Sequence, residues 1–179
     1  MALAEAILVC LTERPMSGYD LAKNFDASIG FFWRASHQQI YRELGKLRDK
    51  GFVRSEEITQ SGKPNRIVHT ITEDGKQALN SWSKKPVRMP SVKDELLTKL
   101  YALDNVDIDA LKDQLTVRID QHRTKLSQYH KIKERFYDGK DLNRNQTGKL
   151  FALELGLQEE QQRINYLQEL MTKISALSG

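Results

Sequence analysis

Between residues 108 and 174 the apolar side chains return every three or four positions, and this regularity constrains the chain more than any other feature. Ile108, Leu111, Leu115, Ile119, Leu126, Tyr129, Ile132 and Phe136 form one such row, with His122 keeping the same spacing. Leu150, Leu153, Leu157, Ile164, Leu167, Met171 and Ile174 form a second row with heptad spacing, in which Glu160 is the one dissonant residue. At 3.6 residues per turn each row lines one face of a long helix, and Asp138-Gly139-Lys140 breaks the two apart. Neither helix is stable alone with such a seam in water, so each must pack on the other or on a partner. A coiled hairpin within a dimer satisfies both, with Leu111, Leu115, Leu153, Leu157, Ile164, Leu167 and Met171 as the expected dimer contacts. A monomeric bundle that buries the seams inside one chain is the alternative.

The N-terminal half has a different texture. Leu3, Ala6, Ile7, Cys10 and Leu11 predict a helix over 2–12, closed by Pro15 and Gly18. A second short helix fits 18–27, with Ser17 placed to cap it. Gly30 and the aromatic cluster Phe31-Phe32-Trp33 read as a connector. Ser36 followed by Gln39 is a capping box, which starts a third helix at Ser36; Ile40, Leu44 and Leu47 give its core stripe, and Gly51 ends it. Two β-branched runs, 52–59 and 66–71, flank the turn-forming Gln60-Ser61-Gly62-Lys63-Pro64-Asn65 and predict a hairpin. A helix over about 73–83 follows. Three helices, a hairpin and a returning helix are the order of a winged helix-turn-helix. The expected fold is therefore mainly α with a small β-hairpin wing: a winged helix over 1–85, a linker over 86–90, and a helical dimerisation domain over 91–179 that opens with a short leucine-rich helix between Ser91 and Leu103.

Charge says which half meets a polyanion. The chain carries a formal net charge of +4. Residues 34–66 hold eight Lys/Arg against four acids and so carry that whole excess, while residues 86–179 hold fifteen against fourteen. The single cysteine, Cys10, lies in an apolar run, which rules out an intrachain disulfide and suits a reducing compartment. The opening apolar segment contains Glu5, has no preceding basic residue and lacks a small-residue cleavage site, so it does not read as a signal peptide. No apolar run approaches membrane-spanning length, and a cytoplasmic location is expected. His37, His69, His122 and His130 form no metal-ligand spacing with each other or with Cys10. No HExxH, P-loop or GxSxG pattern occurs. The sequence thus predicts neither an enzyme nor a metal or cofactor site. The match of Asn145-Gln146-Thr147 to a glycosylation sequon has no meaning in a protein that is not secreted.

The segment FFWRASHQQIYRELGKLRDKGFV, continued by GKPNRIVHTITEDG, resembles the PadR family of transcription regulators, most closely its AphA-like branch of virulence-gene activators. The resemblance extends through the two-helix C-terminal half. It implies a third helix that enters the major groove and a helical arm that dimerises the protein on a pseudo-palindromic promoter site. The residues agree: with Ile40, Leu44 and Leu47 inward, Gln38, Gln39, Arg42, Lys46 and part of Tyr41 remain outside, and Gln and Arg pair bidentately with adenine and guanine edges. Ser36, at the helix start, can donate to a phosphate or simply cap, and His37 is placed to touch the DNA backbone. Lys63 and Arg66 flank the hairpin tip as wing cations for phosphates, with Arg54 a weaker candidate at its base. SHQQIY stands where many relatives carry a small or proline-containing segment, so base preference does not carry over. Two other readings stay open: a ligand-sensing repressor that accepts a small aromatic acid near Trp33, Trp82 and the 91–103 helix, and an adaptor that uses its coiled arms alone.

Overall fold

A computed structural model describes residues 2–27, 35–59, 65–87 and 94–177. The aromatic connector Phe31-Phe32-Trp33, Arg34, Lys63, Pro64 and most of the expected linker lie outside the described residues. The chain divides into two compact units at Pro90/Ser91.

The first unit contains α1 (Ala2–Leu11), β1 (Met16–Ser17), α2 (Gly18–Ala27), α3 (His37–Asp49), β2 (Val53–Ile58), β3 (Arg66–Ile71) and α4 (Glu73–Ser83). Its core is one cluster in which Ile7, Leu8 and Leu11 of α1 meet Leu21 and Phe25 of α2, and Ile40, Leu44 and Leu47 of α3. Burying each such side chain contributes about 1.5–3 kcal/mol. Cys10 is 1 % exposed within it, which accounts for its apolar setting.

Local chemistry fixes the ends of the elements. Ser36 Oγ accepts from Gln39 N at 3.2 Å, and Gln39 Oε1 accepts from Ser36 N at 2.8 Å, so the capping box is complete. At the other end of α3, Gly51 adopts φ +72°. Phe52 N donates to Leu47 O and Gly51 N to Arg48 O, both at 2.9 Å, the paired bonds of a Schellman stop. Thr72 caps α4 by accepting from Gly75 N at 3.1 Å while it donates to Gly51 O at 2.7 Å. Gly75 is needed there, because a Cβ would stand 2.3 Å from the Phe52 carbonyl oxygen.

The hairpin pairs Val53 with Ile71 through to Ile58 with Arg66. It is joined by a strand that the sequence analysis did not anticipate: β1 pairs with the far edge of β3, Met16 opposite His69 and Ser17 opposite Val68, giving the antiparallel order β1-β3-β2. Two residues carry no readable period, and their pairing is long-range.

The second unit contains α5 (Glu95–Tyr101), one 3₁₀ turn (Leu103–Asn105), α6 (Ile108–Phe136) and α7 (Arg144–Leu177). Asp94 caps α5 and also receives the Arg118 fork, which ties α5 to α6. The α6–α7 turn runs through Gly139 at φ +69°. α7 starts six residues before its first heptad leucine, because Asn143 and Gln146 exchange side-chain-to-backbone bonds at 3.0 Å in a second capping box. The Asn145–Thr147 sequon therefore lies in a helix's first turn.

The seam between α6 and α7 takes up the apolar rows from which dimer contacts were expected. Leu111, Leu115, Ile164 and Leu167 form one buried cluster with Ile119 and Ile174, and Met171 packs against it. Leu153 and Leu157 are buried in the same chain. Six of the seven are thus buried within one chain and Met171 is partly buried, since two apolar stripes on adjacent antiparallel helices satisfy each other. Glu160 sits in this seam at 5 % exposure, where His122 Nδ1 and Lys125 Nζ each approach its carboxylate at 2.5 Å. Burial works against its ionisation, but hydrogen bonds from Lys125 and His122 outweigh that and hold its pKa below the ordinary glutamate value.

Candidate nucleic-acid interface

Helix α3 turns Ile40, Leu44 and Leu47 into the core, which leaves its opposite side to solvent. Ser36, His37, Gln38, Gln39, Tyr41, Arg42 and Lys46 are all exposed. Gln38, Arg42 and Lys46 follow one another at four-residue steps and so form a single row along the outer face. Arg42 makes no ion pair among the described residues, and Lys46 is held by Glu43 at 2.9 Å. Gln39 is less available than its neighbours because its Oε1 is spent on the cap. An Asn- or Gln-type pairing with adenine needs the amide oxygen and nitrogen together. Ser36 Oγ accepts within the protein, which leaves its hydrogen to donate outward.

Two glycines shape this face. A Cβ on Gly18 would fall 2.3 Å from the Tyr41 ring, so the tyrosine lies directly against the start of α2. Gly45 is the opposite case: a Cβ there would meet nothing within 4 Å. Mid-helix glycine costs about 0.5–1 kcal/mol relative to alanine, and no packing inside the protein requires it.

The wing differs from expectation beside its tip. Arg66 is not free beside the tip, because its Nη2 is ion-paired with Asp20 Oδ2 in the first turn of α2. Arg54 pairs with Glu56 at 2.9 Å, and Asn65 donates to Glu57 beside the loop end of the hairpin at 2.8 Å. His69 and Ser55 face each other across the strands at 2.9 Å. Burial, reinforced by the positive charge of Arg48, pushes the His69 pKa down. Among the described residues no group of three His, Cys, Asp or Glu could hold a metal ion, and no helix is long and apolar enough to cross a membrane.

Comparison with known proteins decides the family. Residues 7–81 match the Transcriptional regulator PadR-like family, and residues 92–175 match the Virulence activator alpha C-term family. A probable transcriptional regulator of Mycobacterium tuberculosis is 34 % identical, with 94 % of this chain and 95 % of that protein covered. The chain belongs to the PadR-like family of transcriptional regulators.

Solved PadR-like structures share its fold across the whole length. Bacillus subtilis PadR in complex with operator DNA superposes with a TM-score of 0.83 at 30 % identity, covering 97 % of this chain and 99 % of that one. The Vibrio cholerae virulence activator AphA gives 0.80 at 32 % identity, covering 98 % and 99 %. The Bacillus protein in complex with p-coumaric acid also matches, at 0.77 and 30 % identity, covering 98 % and 99 %. This PadR-like regulator is accordingly not an enzyme but a transcription factor of mainly helical, winged-helix build.

Of the residues expected to meet DNA, the structure leaves Ser36, His37, Gln38, Gln39, Tyr41, Arg42 and Lys46 exposed along α3 and at its start, and puts Arg66 in an ion pair beside the wing's tip; Lys63 lies outside the described residues. Sequence reasoning passed over Asp20. Its signal was present, since Ser17-x-x-Asp20 is itself a capping box: Asp20 N donates to Ser17 Oγ at 3.2 Å, and Asp20 Oδ2 accepts from Ser17 N at 3.2 Å and Ser17 Oγ at 2.8 Å.

Proposed function

We propose that this PadR-like regulator works in the cytoplasm by binding a pseudo-palindromic promoter operator as a homodimer, with α3 in the major groove and the wing on flanking phosphates. The observation that carries the reading is the exposed row Gln38–Arg42–Lys46 on a helix capped at both ends and anchored on its opposite face. Gln38 and Arg42 are the residues that read bases. Ser36 and His37, at the helix start, and Lys46 and Lys63 meet phosphate, and Tyr41 braces α3 against α2. The operator complex of the Bacillus relative supports the mode of binding. Dimerisation belongs to the arm of α6 and α7. Leu111, Leu115, Leu153, Leu157, Ile164, Leu167 and Met171 serve it by building that arm, and the surface that meets the partner lies on the outside of α7. The test is selection of genomic fragments with the purified protein followed by footprinting. A protected two-fold related site is the expected result, and protection of no sequence over random duplex at moderate salt would refute it.

A second reading adds an effector to this function. The p-coumaric acid complex of the Bacillus relative favours a small aromatic carboxylic acid as ligand. Quenching of Trp33 and Trp82 fluorescence by p-coumaric acid, with release of bound operator, is the outcome that would establish it.

A further inference from the structure

The ion pair between Asp20 and Arg66 joins residues 46 positions apart, the first turn of α2 and the first residue of β3. It is not an isolated surface contact. The Asp20 carboxylate is itself fixed by two bonds from Ser17. Ser17 is 7 % exposed and lies in β1, hydrogen-bonded into the sheet opposite Val68, two residues along the same strand from Arg66. One carboxylate thus caps a helix, closes the edge of the sheet and holds one terminal nitrogen of a guanidinium whose side chain is still 44 % exposed. A planar five-donor fork gripped on one side presents its other donors in a set direction, and less freedom is then lost when it meets an anion.

We propose that Asp20 is a positioning residue for DNA binding: it orients the Arg66 guanidinium so that the free side of the fork meets a backbone phosphate beside the wing. The inference rests on the DNA-binding reading given above. It makes an unusual sign of prediction. A carboxylate near DNA that plays no positioning role repels phosphate, so its neutralisation should tighten binding; a carboxylate that aims an arginine should weaken binding when neutralised.

The experiment measures binding of the full-length protein to a fluorescein-labelled mixed-sequence duplex of about 30 base pairs by anisotropy over a range of NaCl concentrations. Arg66→Ala should weaken binding about fivefold and lower the salt exponent by about one. Asp20→Asn keeps an acceptor for Ser17 and should weaken binding about threefold although it removes a negative charge. In the double variant the loss should equal that of Arg66→Ala alone, since Asp20 acts through the arginine. Unchanged or tighter binding by Asp20→Asn, or losses that multiply in the double variant, would overturn the positioning role while leaving Arg66 as a phosphate contact. If Arg66→Ala binds like wild type, the positioning role and the phosphate reading of Arg66 fall together. Circular-dichroism melting checks the fold. Should Asp20→Asn melt early, Arg66→Lys replaces it, because that change leaves the α2 cap intact and keeps the cation but not the fork. It should bind like Arg66→Ala, and wild-type binding by it would overturn the proposal.

Discussion

Glu160 shows how a single side chain can set the acid response of the arm. Its pKa lies below the ordinary glutamate value of 4.5 in the folded protein, because the bonds from Lys125 and His122 outweigh its burial. A depressed acid contributes stability above its unfolded value and loses it as pH falls through the folded one. The arm's melting temperature should therefore drop on acidification from about pH 5 toward pH 3, and it should drop less in Glu160→Leu. At neutral pH that variant should match or exceed wild type, since an apolar residue of similar size in a heptad seam often replaces a buried ion pair without loss. The His122→Ala/Lys125→Ala variant should instead cost about 3 kcal/mol, because it strands the carboxylate without partners. Equal melting of the two variants would show that the triad is energetically idle.

At the level of elements, the recognition helix was legible in the sequence almost to the residue, because what bounds it is local. Ser36 and Gln39 sit one turn apart, and Gly51 stops the helix through its own φ. The two-residue strand β1 and the Asp20–Arg66 pair were not legible, since each depends on partners some 46–53 positions away. Periodicity also told which face of α7 is apolar but not what covers it. Helix α3 yields three predictions. Gln38→Ala and Arg42→Ala should each weaken operator binding by about 1–3 kcal/mol and flatten base preference without altering the melt. Gln39→Ala should cost about 0.5–1 kcal/mol of fold stability, because it removes half of the capping box. Gly45→Ala should raise stability by about 0.5–1 kcal/mol, whereas Gly45→Leu, whose Cβ meets nothing within 4 Å, should keep the fold and obstruct groove entry. Operator binding by Gly45→Leu at wild-type strength in a quantitative shift assay would remove α3 from the groove.

For the whole molecule the deciding feature is that α7 carries large apolar side chains on its outer side as well as in its seam. Leu153, Leu157, Ile164, Leu167 and Ile174 face α6 and are buried. Phe151, Leu155, Tyr166 and Leu177 stay more than half exposed. At about 100° per residue these four, with the half-buried Leu170, fall within a sector of about 100° whose centre lies about 140° from the buried seam. Exposed Glu159, Gln162, Glu169 and Lys173 share that sector, so the face mixes apolar with charged groups, and such a face on one helix is readily self-complementary about a two-fold axis. On the reading proposed above, the outer face of α7 is the surface through which two copies associate. Leu155→Asp/Tyr166→Asp should split the dimer while the α6–α7 hairpin stays folded, whereas Leu157→Asp should unfold the hairpin by placing an unpaired charge in its interior. Sedimentation separates these outcomes when read beside helical content. Loss of the dimer should weaken binding to a two-half-site operator far more than to a single half-site, because two tethered winged helices gain effective concentration that one lacks. Should Leu155→Asp/Tyr166→Asp remain a dimer, this face is not the interface and the association must run through the first unit, which would make half-site spacing a property of the winged helix itself.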